Sequence, residues 1–290
     1  MFALVIVLAR GLKRARARTA RAFGLARNVR EFALDTMRAA RRHDLVALRA
    51  QRGVAGTLDP VFRADHGEDL LLWELFGAKP EGVFLEVGAN DGLSYSVSYA
   101  FEAVGWRGVL IEPAPGPAAH CDRARPGSRV FHAAAVEPGA EGTITLRVPE
   151  LAPHIDDPRV LSYVEGAEGE VERARKLSVP TRAVEVPART MTDILDEASP
   201  GEIDFAVVDV EGYEPQLLMG WDTDRHPVRA FLIEEIVGTT GEGPGTREIL
   251  EARGYVRCGE YFDNALYVRR DQGPLIEEAR RLLDRWRIWA

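Results

Sequence analysis

Residues 83–113 hold the feature that most limits how this chain can fold. Residues 83–87 form a short apolar run that Gly88 ends, and residues 109–111 form a second run that Glu112 follows. Short apolar runs bounded by turn residues are typical of the buried strands of a parallel sheet. The stretch therefore predicts a strand–turn–helix–strand unit, with polar residues gathered at the carboxyl ends of its strands.

The turn after the first run predicts a ligand site. Gly88 and Gly92 bracket Asn90 and Asp91, and glycines let a backbone approach a ligand without a Cβ clash. Ligands of open α/β sheets bind beyond the carboxyl ends of the strands. Glu112 stands at such an end and could accept hydrogen bonds from both hydroxyls of a ribose. We therefore predict a pocket for a nucleoside-containing cofactor.

The spacing of the turn indicates which cofactor binds. A dinucleotide fingerprint requires G-x-G-x-x-G, whereas Asn90 stands two positions after Gly88. Glu86 would also bring negative charge close to a pyrophosphate, but it suits a cationic group such as the amino group of S-adenosylmethionine (SAM). SAM is therefore the preferred cofactor, with a dinucleotide and a ligand-free packing unit as the alternatives.

Later apolar runs repeat the pattern of strands that end in acids. One run ends in Asp209, with Glu211 just beyond it, and the next run ends in Glu234. Helical segments separate the runs, and a closing hairpin falls within residues 255–268. This order predicts an α/β fold with a doubly wound, Rossmann-like sheet, mostly parallel with one antiparallel edge strand.

Charge divides the chain into a basic and an acidic part. Residues 1–52 carry 13 Lys and Arg against three acids, a net charge of +10, and the whole chain carries −8, so that residues 53–290 carry −18. We predict a basic helical arm at residues 1–52, a linker at 53–67 and the catalytic domain at 68–290. Within that domain the irregular stretch 149–180 predicts an insertion or lid, because long irregular segments are often binding loops.

The sequence disfavours a membrane-spanning protein, a cysteine-based metal or disulfide site, and nucleic-acid binding. No apolar run approaches the roughly 20 residues that a membrane span needs, and the two cysteines form no metal or disulfide pattern. No known nucleic-acid-binding motif accompanies the arginines. We expect a cytoplasmic protein that binds no nucleic acid. The sequence does not indicate an oligomeric state.

The basic arm has a modest apolar stripe at helical spacing, formed by Leu25, Val29, Phe32 and Thr36. We predict a solvated helical or assembly element. Peripheral contact of the arm with the inner membrane face is the alternative.

Three blocks together resemble the FkbM family of SAM-dependent methyltransferases: FLEVGANDG at residues 84–92, GWRGVLIEP at 105–113 and IDFAVVDVEGYEPQLLMGWD at 203–222. The resemblance extends over residues 68–270. It implies a class I methyltransferase fold and O-methylation of hydroxyl groups on sugars or related metabolites.

The resemblance also implies which residues hold the cofactor. Those expected along the methionine part of SAM are Glu86, Gly88, Asn90, Asp91 and Gly92. Glu112 matches the acid that holds the ribose hydroxyls. His132 and Ala134 belong to the segment that matches the strand end beside the adenine.

The acids at the later strand ends are the candidate catalytic groups. Asp209 and Glu211 match the family's D-V-E-G block. A neutral hydroxyl is a weak nucleophile, and a carboxylate within hydrogen-bond reach would speed its reaction by roughly 10²–10⁴-fold. Glu211 is the preferred general base, followed by Asp209 or Glu234. The three acids would permit a divalent metal such as Mg²⁺, although no metal site is indicated.

The sequence therefore predicts a SAM-dependent O-methyltransferase that acts on a small-molecule or glycan hydroxyl. Two alternatives stay open at this point. One is a dinucleotide-dependent oxidoreductase on a Rossmann-type fold, and the other is a non-catalytic methyltransferase-like binding module.

Overall fold

The described part of the chain is built around a seven-stranded sheet. The computed structural model describes residues 20–54, 58–77, 79–150, 163–164, 180–235 and 245–286, with side chains from residue 29 onward except that of Tyr163. The strands are β1 (Val83–Val87), β2 (Arg107–Ile111), β3 (Ser128–Phe131), β4 (Ala134–Val136), β5 (Gly142–Pro149), β6 (Tyr163–Val164), β7 (Thr181–Thr190), β8 (Ile203–Val208), β9 (Val228–Glu234), β10 (Tyr255–Tyr261) and β11 (Asn264–Arg269). The helices are α1 (Ala20–Arg52), α2 (Glu68–Phe76), α3 (Tyr99–Ala103), α4 (Pro115–Ala124), α5 (Met191–Ala198), α6 (Glu214–Met219), α7 (Thr246–Ala252) and α8 (Gly273–Trp286).

The main sheet has the strand order β10-β11-β9-β8-β1-β2-β3. Neighbouring strands from β9 to β3 pair in parallel, whereas β11 is antiparallel to both β9 and β10. The prediction of a doubly wound, Rossmann-like, mostly parallel sheet with one antiparallel strand is confirmed. That strand lies second from the edge, because β11 folds back from β10 and pairs with β9.

Helices cover both faces of the main sheet. Phe84 and Phe205 pack on one face with α1, α2, α3 and α8. Leu85 and Ala206 pack on the other face with α5, α6 and α7. Successive side chains of a strand point to opposite faces, so strands that are covered on both sides read as continuous apolar runs.

Helix α1 shares a core with the sheet. Its buried side chains in that core are Ala33, Leu34, Met37 and Leu45. The predicted apolar stripe is wrong at Phe32, which is 68% exposed, because the helix docks through the neighbouring face. The side chain of Leu25 lies outside the described residues.

Arginines of α1 bind carbonyl groups of the domain. Arg38 donates to the carbonyl oxygen of Ala64 at 2.5 Å. Arg52 donates to those of Lys79 and Val104 at 2.8 and 3.2 Å. Residues 1–19 lie outside the described residues, so the boundaries of the basic arm and its membrane contact stay predictions. Among the helices in the described ranges, none is both long and apolar enough to cross a membrane.

A second, four-stranded sheet has the order β4-β7-β5-β6 and was not predicted as a separate unit. The apolar run at residues 129–136 predicts a single strand, but the structure divides this run between the two sheets. Phe131 is the last residue to pair with β2, and Ala134 begins a parallel pairing with Ala188 of β7. Most of the predicted insertion at 149–180 lies outside the described residues.

The first crossover helix is short. The segment at residues 93–104 predicts a helix between two strands, whereas α3 begins only at Tyr99. The carboxylate of Asp91 accepts the backbone N–H of Ser94 at 2.6 Å, and Tyr95 has a φ of 58°. The Asp91 contact alone could cap a helix, but the positive φ of Tyr95 is incompatible with a continuous right-handed helix. Residues 93–98 therefore form a structured loop.

Candidate active site

A cavity of about 360 Å³ opens at the carboxyl ends of β1, β2 and β8. Its volume falls within the range of small-molecule sites. It lies at the switch point of the sheet, where the chain order reverses between β8 and β1, as ligand sites of doubly wound sheets do. Side chains of the second sheet close its other side: Leu146, Val148, Pro149 and Val164.

The loop after β1 forms the floor of the cavity. Gly88 and Ala89 donate their backbone N–H groups to the carbonyl oxygen of Ile111 at 3.0 and 3.1 Å. Gly88 has a φ of 86° and Asn90 one of 48°, both in the left-handed region. The loop therefore folds tightly over the strand ends, and Gly88, Asn90 and Asp91 line the cavity as predicted candidates.

Gly88 also allows the loop after β8 to come close. A Cβ atom at Gly88 would lie 1.8 Å from the carbonyl oxygen of Asp209. The backbone N–H of Asp209 donates to the carbonyl oxygen of Val87 at 3.1 Å. The two loops that carry most of the candidate residues are therefore packed directly against each other.

Glu112 lines the cavity at the end of β2 and is 6% exposed. Its carboxylate accepts the backbone N–H of Ala114 at 2.7 Å and that of Asn90 at 2.9 Å. Burial raises the pKa of Glu112 to about 7, although those two hydrogen bonds favour the charged form. The predicted ribose acid thus also holds the loop after β1.

Asp91 shapes the same loop. Its carboxylate accepts hydrogen bonds from the backbone N–H groups of Leu93 and Ser94 and from the Ser94 hydroxyl. Burial raises the pKa of Asp91, but these hydrogen bonds outweigh it, so that the pKa lies below its ordinary value. Asp91 is therefore an ionised residue within the cavity at neutral pH.

Glu86 does not line the cavity, contrary to its predicted contact with a cationic group. Its carboxylate accepts hydrogen bonds from the hydroxyls of Ser96 and Ser98 at 2.8 and 2.5 Å and from the backbone N–H of Val97 at 2.9 Å. Arg125 lies 3.8 Å away and compensates its charge. Glu86 therefore binds the loop at residues 96–98 and does not face the cavity.

Arg125 is a residue that sequence reasoning missed. It is fully buried at 0% exposure and forms an ion pair with Glu102 at 2.8 Å. Its guanidinium also donates to the carbonyl oxygen of Gly92 and to the hydroxyls of Ser96 and Ser98. No motif marks this arginine, because its partners come from three separate segments of the chain.

Two further predicted cofactor residues lie outside the cavity lining. Gly92 packs beneath the loop, where an added Cβ would lie 2.8 Å from side-chain atoms of Cys121 and Arg125. His132 points outward, with its Nε2 3.0 Å from the carbonyl oxygen of Pro113. Ala134, by contrast, does line the cavity.

The three candidate catalytic acids come together. One carboxylate oxygen from each of Asp209, Glu211 and Glu234 lies within 4.8 Å of the other two. Asp209 and Glu211 line the cavity, and Glu234 joins them from the end of β9. Such a cluster can accept a proton from a hydroxyl group. Its oxygen donors also suit a divalent cation.

Tyr213 closes the cavity on the side of the second sheet and was also not predicted. Its hydroxyl donates to the Glu137 carboxylate at 2.9 Å. Burial and the bond to Glu137 raise the pKa of the Tyr213 phenol above its ordinary value. The aromatic ring therefore presents a neutral surface between the acids and the apolar wall.

Comparison with known proteins supports one family. The family of the methyltransferase FkbM domain matches residues 86–257. A solved structure with a partial likeness is that of a TehB-like SAM-dependent methyltransferase from Corynebacterium glutamicum ATCC 13032 Kitasato. It is 10% identical, with 80% of this chain and 99% of that chain covered, and its TM-score of 0.33 is too low to carry an argument. No curated protein is significantly similar in sequence.

Proposed function

Because this chain belongs to the FkbM family of methyltransferases, we propose that it methylates a hydroxyl oxygen of a carbohydrate or secondary metabolite and uses SAM as the methyl donor. The observation that carries this proposal is the meeting of two features in one cavity. The glycine turn with Glu112 offers a nucleoside site, and Asp209 and Glu211 stand beside it.

The residues of the cavity fit SAM. Gly88 lines the cavity with its backbone, and Asn90 and Asp91 offer polar groups beside it. Glu112 would accept the ribose hydroxyls, and Ala134 with its neighbours would bound the adenine. SAM supplies an activated methyl group when it is bound.

Glu211 is the proposed general base. It is 5% exposed, lines the cavity and has two further carboxylates within 4.8 Å. A carboxylate in that position would accept the proton that the acceptor hydroxyl loses. Asp209 would orient the hydroxyl, and the neighbouring Glu234 would favour proton uptake by its negative charge. The chain thus supplies positioning and a proton acceptor, and positioning alone can contribute on the order of 7–11 kcal/mol.

The apolar side chains that line the cavity indicate which class of acceptor it would bind. Leu146, Val148 and Val164 of the second sheet line the same cavity as Asp209 and Glu211. An acceptor with hydroxyls on one side and an apolar surface on the other would satisfy both walls. Glycosides and hydroxylated secondary metabolites have this character, which supports the proposed substrate class.

Methyl transfer to a panel of glycosides and hydroxylated metabolites tests the proposal directly. Purified full-length chain is incubated with methyl-labelled SAM, and the product is examined by mass spectrometry and NMR. We expect one added methyl group on oxygen. A methyl group found only on nitrogen or carbon, or no transfer to any hydroxyl, would overturn the proposed reaction.

Glu211→Gln is expected to lower kcat by roughly 10²–10⁴-fold, because the amide cannot accept the proton of the acceptor hydroxyl. The affinity for SAM should change little. Stopped assays with the identified acceptor give kcat, and calorimetry gives the SAM affinity. Repeating both with EDTA, and then with added Mg²⁺, shows whether a metal contributes. A normal rate across the pH range would remove Glu211 as the base.

SAM binding is expected to strengthen as pH rises from 6 to 8. Burial holds the pKa of Glu112 at about 7, and the ionised carboxylate is the better acceptor for ribose hydroxyls. If only that form binds, affinity is about tenfold weaker at pH 6 than at pH 8. Calorimetric titrations at several pH values measure this slope.

Glu112→Gln is the control for that pH dependence. It should bind SAM more weakly at pH 8 and lose the slope. In the unliganded protein, the raised pKa of Glu112 favours the folded state at low pH, whereas SAM binding is favoured at high pH. The stability that Glu112 contributes is greatest below its ordinary value of 4.5 and is lost as pH rises through about 7. An unchanged slope in the variant would exclude Glu112 as the titrating group.

A further inference from the structure

Glu214 is a buried carboxylate next to the candidate base that the proposed chemistry does not use. It is the first residue of α6, three positions after Glu211, and it is 2% exposed. It does not line the cavity. A group that is so fully buried needs hydrogen-bond partners, and these identify its role.

Besides its own backbone N–H, the Glu214 carboxylate binds backbone N–H groups on either side of Glu211. Its Oε1 atom accepts the N–H of Val210 at 3.0 Å and that of Gly212 at 3.3 Å. The residues immediately before and after Glu211 are thus both hydrogen-bonded to Glu214. One side-chain oxygen binds the backbone on both sides of Glu211.

The turn needs such a tether. Glu211 has a φ of 58° and Gly212 one of 92°, so two consecutive residues lie in the left-handed region. A residue with a Cβ rarely adopts that conformation unless its surroundings impose it. If Glu211 relaxed to the right-handed or extended region, its side chain would leave the cavity.

We propose that Glu214 is a positioning residue that holds the Glu211 carboxylate in the cavity by fixing the backbone on both sides of it. The inference rests on the proposed function, because it assigns Glu214 to the turn that carries the proposed base. Glu214 itself does not line the cavity. Its effect on catalysis is exerted through the conformation of Glu211.

Two substitutions at position 214 separate the effect of side-chain length from the effect of side-chain charge. Glu214→Gln keeps the side-chain length and an oxygen acceptor but removes the charge. Glu214→Asp keeps the charge but shortens the side chain by one methylene group. A positioning role predicts that Gln preserves activity better than Asp, whereas a role for the negative charge predicts the reverse order.

The experiment compares Glu214→Gln, Glu214→Asp and Glu214→Ala in the full-length chain. SAM affinity is measured by calorimetry, kcat with the acceptor identified for the wild type, and backbone protection of residues 209–213 by hydrogen exchange. We expect the Asp and Ala variants to lose about 10²-fold in kcat, as for a catalytic group displaced by about 1 Å. SAM affinity should stay within about twofold, and exchange at 209–213 should rise. The Gln variant should stay within about tenfold of the wild-type kcat.

Glu68 offers a matched control. It is also the first residue of a helix, is 6% exposed and accepts the backbone N–H of His66 from the preceding loop at 3.0 Å. It does not line the cavity. Glu68→Ala should lower the unfolding temperature and leave kcat within about twofold of the wild type.

Three results would overturn the proposal. They are a Glu214→Asp variant that is more active than Glu214→Gln, a loss of SAM affinity as large as the loss of kcat, and unchanged exchange at residues 209–213. If Glu214→Ala does not fold, the Gln and Asp variants decide. Hydrogen exchange and SAM affinity need no acceptor, so they test the positioning role even if Glu211 proves not to be the base.

Discussion

Gly88→Ala is expected to reduce SAM affinity by about 10²-fold, which corresponds to the upper part of the roughly 1–3 kcal/mol that overpacking costs. The added Cβ would lie 1.8 Å from the carbonyl oxygen of Asp209, and protein atoms do not approach so closely. The loop after β1 and the loop after β8 would have to separate by more than 1 Å. Because Gly88 and Asp209 belong to the two loops that form the site, the cofactor and acceptor ends would both be disturbed.

The same substitution should lower the free energy of unfolding by about 3 kcal/mol or more, from left-handed strain and overpacking together. Gly201→Ala is the matched control. Gly201 has a φ of 80°, close to the 86° of Gly88, but no atom lies within 4 Å of its added Cβ. It should show the strain alone, about 1–2 kcal/mol, and unchanged SAM affinity. Equal effects of both substitutions on SAM binding would refute the contact between the loops.

Arg125→Met is expected to lower the free energy of unfolding by about 3–5 kcal/mol, the usual cost of removing one partner of a buried ion pair. Methionine nearly fills the space of the arginine stem, so the loss reports charge and hydrogen bonding. Glu102, whose Oε2 lies 2.8 Å from the Arg125 Nε, would be left buried without its cation. Glu86, 3.8 Å away, would lose its counter-charge as well.

SAM affinity should fall in the same variant, because the guanidinium holds the carbonyl of Gly92 and the hydroxyls of Ser96 and Ser98. Urea titration measures the stability and calorimetry the affinity. Arg247→Met is the control, since Arg247 pairs with Glu251 one helical turn away on an exposed surface. Such surface pairs contribute little, and we expect no measurable change in either quantity. A comparably small effect at Arg125 would contradict its structural role.

The main sheet and the position of the site followed from local patterns in the sequence. The runs that became β1, β2 and β8 are apolar on both faces and end in glycines or acids, and the carboxyl ends of parallel strands meet at one edge of a sheet. That is why Gly88, Glu112 and Asp209 could be brought together without a structure.

The role of Glu86 could not be predicted, because it depends on a partner distant in sequence. The acid was assigned to a cationic ligand by its place before Gly88. Arg125, 39 positions later, compensates its charge instead, and hydroxyls from the loop at 96–98 complete its hydrogen bonds. Spacing within one motif does not reveal such a long-range ion pair.

The second sheet was missed for a related reason. The segment at residues 128–136 is apolar enough for one strand, and only the pairing partner of each half decides where the break falls. Ala134 pairs with Ala188, 54 residues further on. Strand pairing at that separation is set by tertiary packing and not by local preference.

Calorimetric titration of the wild-type protein with SAM, and separately with NADH, tests most directly whether the cavity at Gly88 and Glu112 is a SAM site. We predict saturable binding of SAM at one site per chain, competed by S-adenosylhomocysteine, and no binding of NADH. Saturable binding of NADH together with no binding of SAM would contradict the assignment of both the cofactor and the reaction.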